Sequence, residues 1–221
     1  MNSLMETVCV VCTQVRDKTK QGISFHNLLT QIRRAFREHG IDLKVRSLRK
    51  KSLQTEEFYV NAYYDATDDC NRETAIEVVI YHNFDRTIIW DRVHITDLLI
   101  QVFDAVVHEF KHQRQSRKRH YEVFWNESNN THLYLSDPDE VDAYAVSIAI
   151  ELCRVLGKTR ALRYMTRFTS LSRLKIRNHY VSPSLYVYVK NFDNLDDPVL
   201  KTLAKKVYVR VQKVDIDCIF L

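Results

Sequence analysis

Three glycines and three prolines in 221 residues leave this chain few places to turn sharply. Glycine supplies the left-handed backbone and proline the fixed φ on which most tight turns depend. Long, closely packed elements are therefore expected. The length suits one domain with a real core, and we expect a single domain over 1–221, its core at about 20–157 and an extension at 158–221. Apolar residues at 45% and charged residues at 28% exclude a disordered polyelectrolyte.

The apolar pattern then places the elements. Residues 7–14 (TVCVVCTQ) read as a short buried strand or one helical turn. Residues 24–39 read as a helix capped by Ser24, with Leu28, Ile32 and Phe36 as its stripe and Gly40 as its stop. Three runs rich in β-branched and aromatic residues follow, at 57–64, 74–82 and 86–91. The second is equally an interior strand or an open edge to which a peptide could pair. A long helix is expected over 96–118, capped by Thr96 or Asp97. A polar loop at 119–137 leads to a helix over 138–156, with Pro138 in its first turn and Gly157 past its end. Beyond it we expect a helix at 158–169, a β-like run at 184–190 and a final helix or strand. The fold class is α+β.

Within the long helix, residues 108–112 read His-Glu-Phe-Lys-His. Positions i and i+4 of a helix share one face, one turn apart. Two imidazoles so placed can reach a single ion at the short distances zinc requires. Glu109 flanks that axis, where it can take a proton from a water on the metal. The bland alternative is a solvated helix face carrying two unrelated histidines. Zinc in a catalytic site takes a third protein ligand, and Glu140, 28 residues past His112, stands in the first turn of the next expected helix. Its plainer role is a carboxylate complementing the helix dipole. Asp142 is a rival ligand, although its offset from Glu140 turns it to another face.

These residues form the HExxH motif, and the chain resembles the gluzincin-type zincin metallopeptidases, particularly small gluzincin-like proteins of bacterial and phage genomes. In gluzincins a glutamate on a downstream helix completes the metal site and is followed by a small residue. Glu140-Val141-Asp142-Ala143 has that form, and the resemblance covers about 74–156. It implies a zincin-like fold, in which a small mixed sheet packs on a motif helix and a glutamate helix. It also implies a Zn2+ site of His108, His112 and Glu140, with Glu109 as general base for peptide-bond hydrolysis of a peptide or protein substrate. A protein of the same fold can instead hold zinc as a binding or structural module, and a DNA-associated peptidase is a further alternative. Asp104, one turn before His108, and Tyr144, one turn after Glu140, are candidate supports, though an exposed Asp and a core Tyr are the simpler readings. His120, Tyr121, His132 and Tyr134 are further polar candidates that no spacing rule separates.

The remaining signals are weaker. Cys9 and Cys12 form a CxxC with no second pair, so buried thiols are expected rather than a zinc knot. Five scattered cysteines, with no leader ahead of them, suit a reducing, cytoplasmic compartment. No run is long enough for a membrane span. The net charge of +5 is mild. Two basic runs, Lys44–Lys51 and Arg114–His120, read as solvated faces. The second could steer DNA or an acidic segment, but no aromatic residues are interleaved with either run.

Overall fold

In the computed structural model the described residues are 2–19, 22–55, 57–85, 87–122, 130–168, 181–192, 194 and 196–219. The chain divides into two compact units, Met1–Val123 and Phe124–Ile219. Helices and small sheets combine in an α+β chain.

The first unit opens with α1 (Asn2–Lys18), so of the two readings of 7–14 the helical one holds, as part of a much longer helix. Met5, Val8, Val11, Cys12 and Val15 are all buried. Their spacing of three and four residues is a helical stripe, which a reading confined to TVCVVCTQ could not see. Cys12 donates to the Leu99 carbonyl and Cys9 is half-buried. Next, α2 (Phe25–Glu38) is capped by Ser24, whose Oγ accepts from the Asn27 amide at 3.4 Å. Leu28, Ile32 and Phe36 are buried as expected, and Gly40 follows with φ +69°.

A three-stranded sheet follows in the order β2-β4-β3 (the short β1, Ile23–Ser24, precedes α2). β2 (Lys44–Arg49) runs parallel to β4 (Ile76–His82), and β3 (Phe58–Tyr64) runs antiparallel to it. The run expected as an edge is therefore the central strand. β4 is hydrogen-bonded on both sides and has no edge to offer a peptide. Both outer edges are partly plugged from the helices. Arg33 of α2 donates to the Val45 carbonyl at 2.8 Å, and the Val60 amide donates to Gln101 at 3.1 Å. Such plugs blunt the pairing groups of an edge strand.

The β2 strand occupies a stretch expected to be only a solvated basic face. Its alternation is real but thin: Val45 is buried, while Lys44, Arg46 and Leu48 face solvent. Between β3 and β4 lies the short α3 (Ala66–Cys70). The third expected β run shrinks to β5 (Ile89–Trp90), paired antiparallel with β1 through Ile23–Trp90 and Ser24–Ile89; Arg86 lies outside the described residues. Trp90, Phe25, Phe84 and the buried His82 form one ring cluster, with neighbouring centroids 4.5–5.1 Å apart.

The long helix α4 (Arg92–Lys118) begins one turn before the expected start. Asp91, not Thr96 or Asp97, is its cap and accepts from the His94 amide at 2.9 Å. Ile95, Leu98, Leu99, Val102, Phe103 and Val106 are buried against α1 and the inner sheet face. A six-to-one and five-to-two pair of bonds closes the far end: Tyr121 N to Ser116 O at 3.0 Å, and His120 N to Arg117 O at 3.2 Å. This is a Schellman stop, with His120 at φ +53° where glycine is usual.

The second unit is helical. Among its described residues it holds α5 (Thr131–Ser136), α6 (Pro138–Leu156), α7 (Lys158–Thr166), α8 (Pro183–Asn191) and α9 (Pro198–Lys213). α6 begins at Pro138 and stops at Gly157 as expected. It packs against α5, α7, α8 and α9, and Ala145–Cys153 are buried without interruption. The expected β-like run at 184–190 is α8. Ser182 caps it by accepting from the Leu185 amide at 3.1 Å. Leu185, Tyr188, Val189 and Phe192 are buried at helical spacing, so packing overrides the β propensity of LYVYV. Within the unit, Glu151 of α6 accepts from the hydroxyls of Ser182 and Ser184 and from the Ser184 amide. That carboxylate ties the start of α8 to α6.

Candidate metal centre

His108 and His112 project from successive turns of α4, both half-buried. Their Nε2 atoms are 3.1 Å apart, with ring planes inclined at 67°. Two unprotonated nitrogens at that distance would point lone pairs at each other, and two protonated ones would clash. A shared proton or a cation between them resolves this. Two nitrogens bound to one tetrahedral zinc at about 2.05 Å would stand about 3.3 Å apart, close to the separation seen.

The stretch of α4 after His112 is held in place. Asp69 of α3, nearly buried, accepts from Gln113 Nε2 at 2.9 Å and from the Tyr64 hydroxyl at 3.0 Å. It also accepts from both Nε and Nη2 of Arg117, at 2.9 and 2.6 Å. Burial alone would raise the Asp69 carboxyl, but the bonds from Arg117, Tyr64 and Gln113 outweigh it and hold the group below the usual carboxylate range. One cation of the basic run after the motif is therefore paired with a carboxylate of the fold.

Glu140 lies half-buried in the first turn of α6. The residue three after an N-cap often turns back to bond the cap's own amide. That amide, of Asp137, already donates to the Tyr134 carbonyl at 3.1 Å, and the Asp137 side chain accepts from Asp139 N at 2.7 Å. Asp137 thus caps α6 with its side chain, while its own amide is satisfied by Tyr134. Asp142 faces elsewhere: its carboxylate accepts from Arg210 of α9 at 2.9 Å and lies 3.7 Å from Lys206. His108 and His112 belong to the first unit and Glu140 to the second, and the histidine pair by itself is a group that could take part in holding a metal ion. Paired imidazole nitrogens suit divalent transition metals, zinc and iron among them.

Glu109 is half-buried on the flank of the pair, rotated about 100° around the helix from His108. Asp104 is also half-buried rather than exposed. Tyr144 meets Tyr188 edge-on, with centroids 5.2 Å apart. Tyr188 was not singled out from sequence because it stood in a run read as a strand. Its phenol is fully buried and its pKa is pushed up, first by burial and then by the negative charge of Tyr144, Glu140 and Asp137. His132 stacks near Phe192 at 4.4 Å, and Tyr134 is exposed. His120 and Tyr121 belong to the Schellman stop.

No family model, curated protein or solved structure matches the chain. No helix among the described residues is long and apolar enough to cross a membrane.

Proposed function

We propose that this protein is a zinc hydrolase of the HExxH class, and more narrowly a gluzincin-like peptidase acting on peptide or protein substrates. The approach of the two Nε2 atoms to 3.1 Å carries the reading. His108, His112 and Glu140 would hold the ion. Bound zinc supplies a Lewis acid that lowers the pKa of water towards neutrality and polarises a carbonyl.

The chain's own residues do the rest. Glu109 accepts the proton of the attacking water and returns it to the leaving amine. The Asp69 clamp and the packed face of α4 fix the histidine pair, so no ordering is needed when the ion arrives.

The test is cleavage of a quenched-fluorescence peptide library by wild type and Glu109→Gln, with zinc content measured in both. The variant is expected to keep its zinc and lose at least about 100-fold in rate. Equal cleavage by both proteins would remove Glu109 from the chemistry. A zinc-loaded wild type that cleaves nothing would leave a metal-holding module and end the peptidase reading.

A further inference from the structure

A second feature lies away from the metal-binding residues, on the outer face of the sheet. Strand alternation places Tyr59, Asn61 and Tyr63 of β3 beside Glu77, Val79 and Tyr81 of β4 and Lys44, Arg46 and Leu48 of β2. The helices α2 and α4 take the opposite face, where Val45, Val78 and Ile80 are buried. On the outer face Tyr63 is 48% exposed and Leu48 38%. Tyr59 and Tyr81 are register partners and stack at 4.7 Å with planes 16° apart. The Tyr63 hydroxyl stands 3.4 Å from that of Tyr81, which continues the row of rings.

Cations gather at one end of this row. The Lys50 amide bonds the His82 carbonyl at 2.8 Å, extending β2 by one residue. That anchor brings Lys50 Nζ to 2.9 Å from the Tyr59 hydroxyl and over both stacked rings, at 5.2 and 5.7 Å from their centroids. Lys51 follows it and is exposed, whereas Arg49, also exposed, alternates to the other face. Further along, Arg46 is paired with Glu77 and Lys44 lies near Asp68. Among the described residues no carboxylate is paired with Arg49, Lys50 or Lys51. The sheet thus assembles what the linear sequence keeps apart: a basic run at 44–51 and tyrosines from two other strands.

We infer that the outer face of the β2-β4-β3 sheet binds single-stranded nucleic acid, with bases stacking on Tyr59, Tyr63 and Tyr81 and phosphates meeting Lys50 and Lys51. Bases of any sequence present flat π faces to such rings, and an unpaired strand leaves those faces free. The unpaired cations complement the phosphates. A duplex buries its base faces in its own stack and would use only the charges. An acidic peptide would likewise need the cations but not the rings.

The experiment is fluorescence anisotropy of a labelled oligothymidylate over a range of salt concentrations. Three probes compete: unlabelled oligouridylate, a duplex of the same length, and polyglutamate. Wild type is expected to bind with an affinity that falls as salt rises. Tyr63→Ala and Tyr81→Ala should each weaken binding at least about fivefold, while Tyr63→Phe and Tyr81→Phe keep it. Replacing Lys50 and Lys51 by Ala should flatten the salt slope by about 1.4, while Arg49→Ala leaves it nearly unchanged. Circular dichroism melts establish that each variant is folded; Tyr63, being exposed, serves as the test if Tyr81→Ala does not fold. Absence of oligothymidylate binding overturns the proposal. So does binding that the alanine variants at tyrosine leave unchanged, or that polyglutamate or duplex displaces as well as oligouridylate does. Zinc content is read in the same variants and is expected to be unchanged, which separates this result from that of the metal centre.

Discussion

Asp69 holds the motif helix after His112, and its removal has a calculable effect. Its carboxylate side chain is 5% exposed, whereas its principal partner, the Arg117 side chain, is 56% exposed. In Asp69→Ala the guanidinium returns to water, so its two bonds contribute only about 0.5 kcal/mol each after solvent competition. The less exposed partners, Tyr64 and Gln113, lose an ionised acceptor, at about 1 kcal/mol each. The expected loss is about 3 kcal/mol, read as a shift of the urea midpoint at constant m. A cycle with Arg117→Ala should return a coupling of about 1 kcal/mol.

The sign of the pH dependence follows from the depressed carboxyl. A group held below its unfolded pKa contributes stability in full above the ordinary carboxylate value and loses it as pH falls through the lowered one. Asp69→Ala should therefore flatten the acid limb of the stability profile and leave its alkaline side unchanged in shape. A loss under about 0.5 kcal/mol, or an acid limb identical to wild type, would refute the clamp as a source of stability.

Three further outcomes follow from the geometry. Glu151→Ala should lower stability by about 2–3 kcal/mol, since Ser182 and Ser184 lose their buried acceptor, and a thermal melt checks it. His120→Gly should stabilise by about 1 kcal/mol in urea, because the left-handed backbone at the end of α4 is strained for any residue with a Cβ; a neutral or destabilising result would contradict that. Asp142→Asn should keep its metal while Glu140→Gln loses affinity, as measured by competition with a chromogenic chelator, because Asp142 is engaged by Arg210.

The parts of the fold legible in the sequence were those where local chemistry and packing agree. Ser24 before α2, and Pro138 and Gly157 around α6, marked their helices because a cap or a stop is a property of one or two residues. The parts missed were those where tertiary contacts decide. β2 looks like a solvated basic run because only Val45 of its six residues is buried, and its partner β4 is some thirty residues away. α8 carries strand-favouring residues whose helical stripe matters only once α6 lies beneath it. Asp91 was passed over as a cap because the apolar pattern of α4 starts a turn later, at Ile95.

At the candidate centre, the i, i+4 histidines were legible because helix geometry alone places them. The engagement of Asp142 was not, since its partner Arg210 lies 68 residues further along the chain. Tyr188 was equally hidden, its relation to Glu140 arising only from the packing of α8 on α6.

The most direct measurement is elemental analysis of the purified chain after equilibration with zinc and removal of the excess, repeated on His112→Ala. About one zinc per wild-type chain is expected, with almost none on the variant. A wild-type chain that takes up no metal, or a variant that retains as much as wild type, would contradict the account at its root.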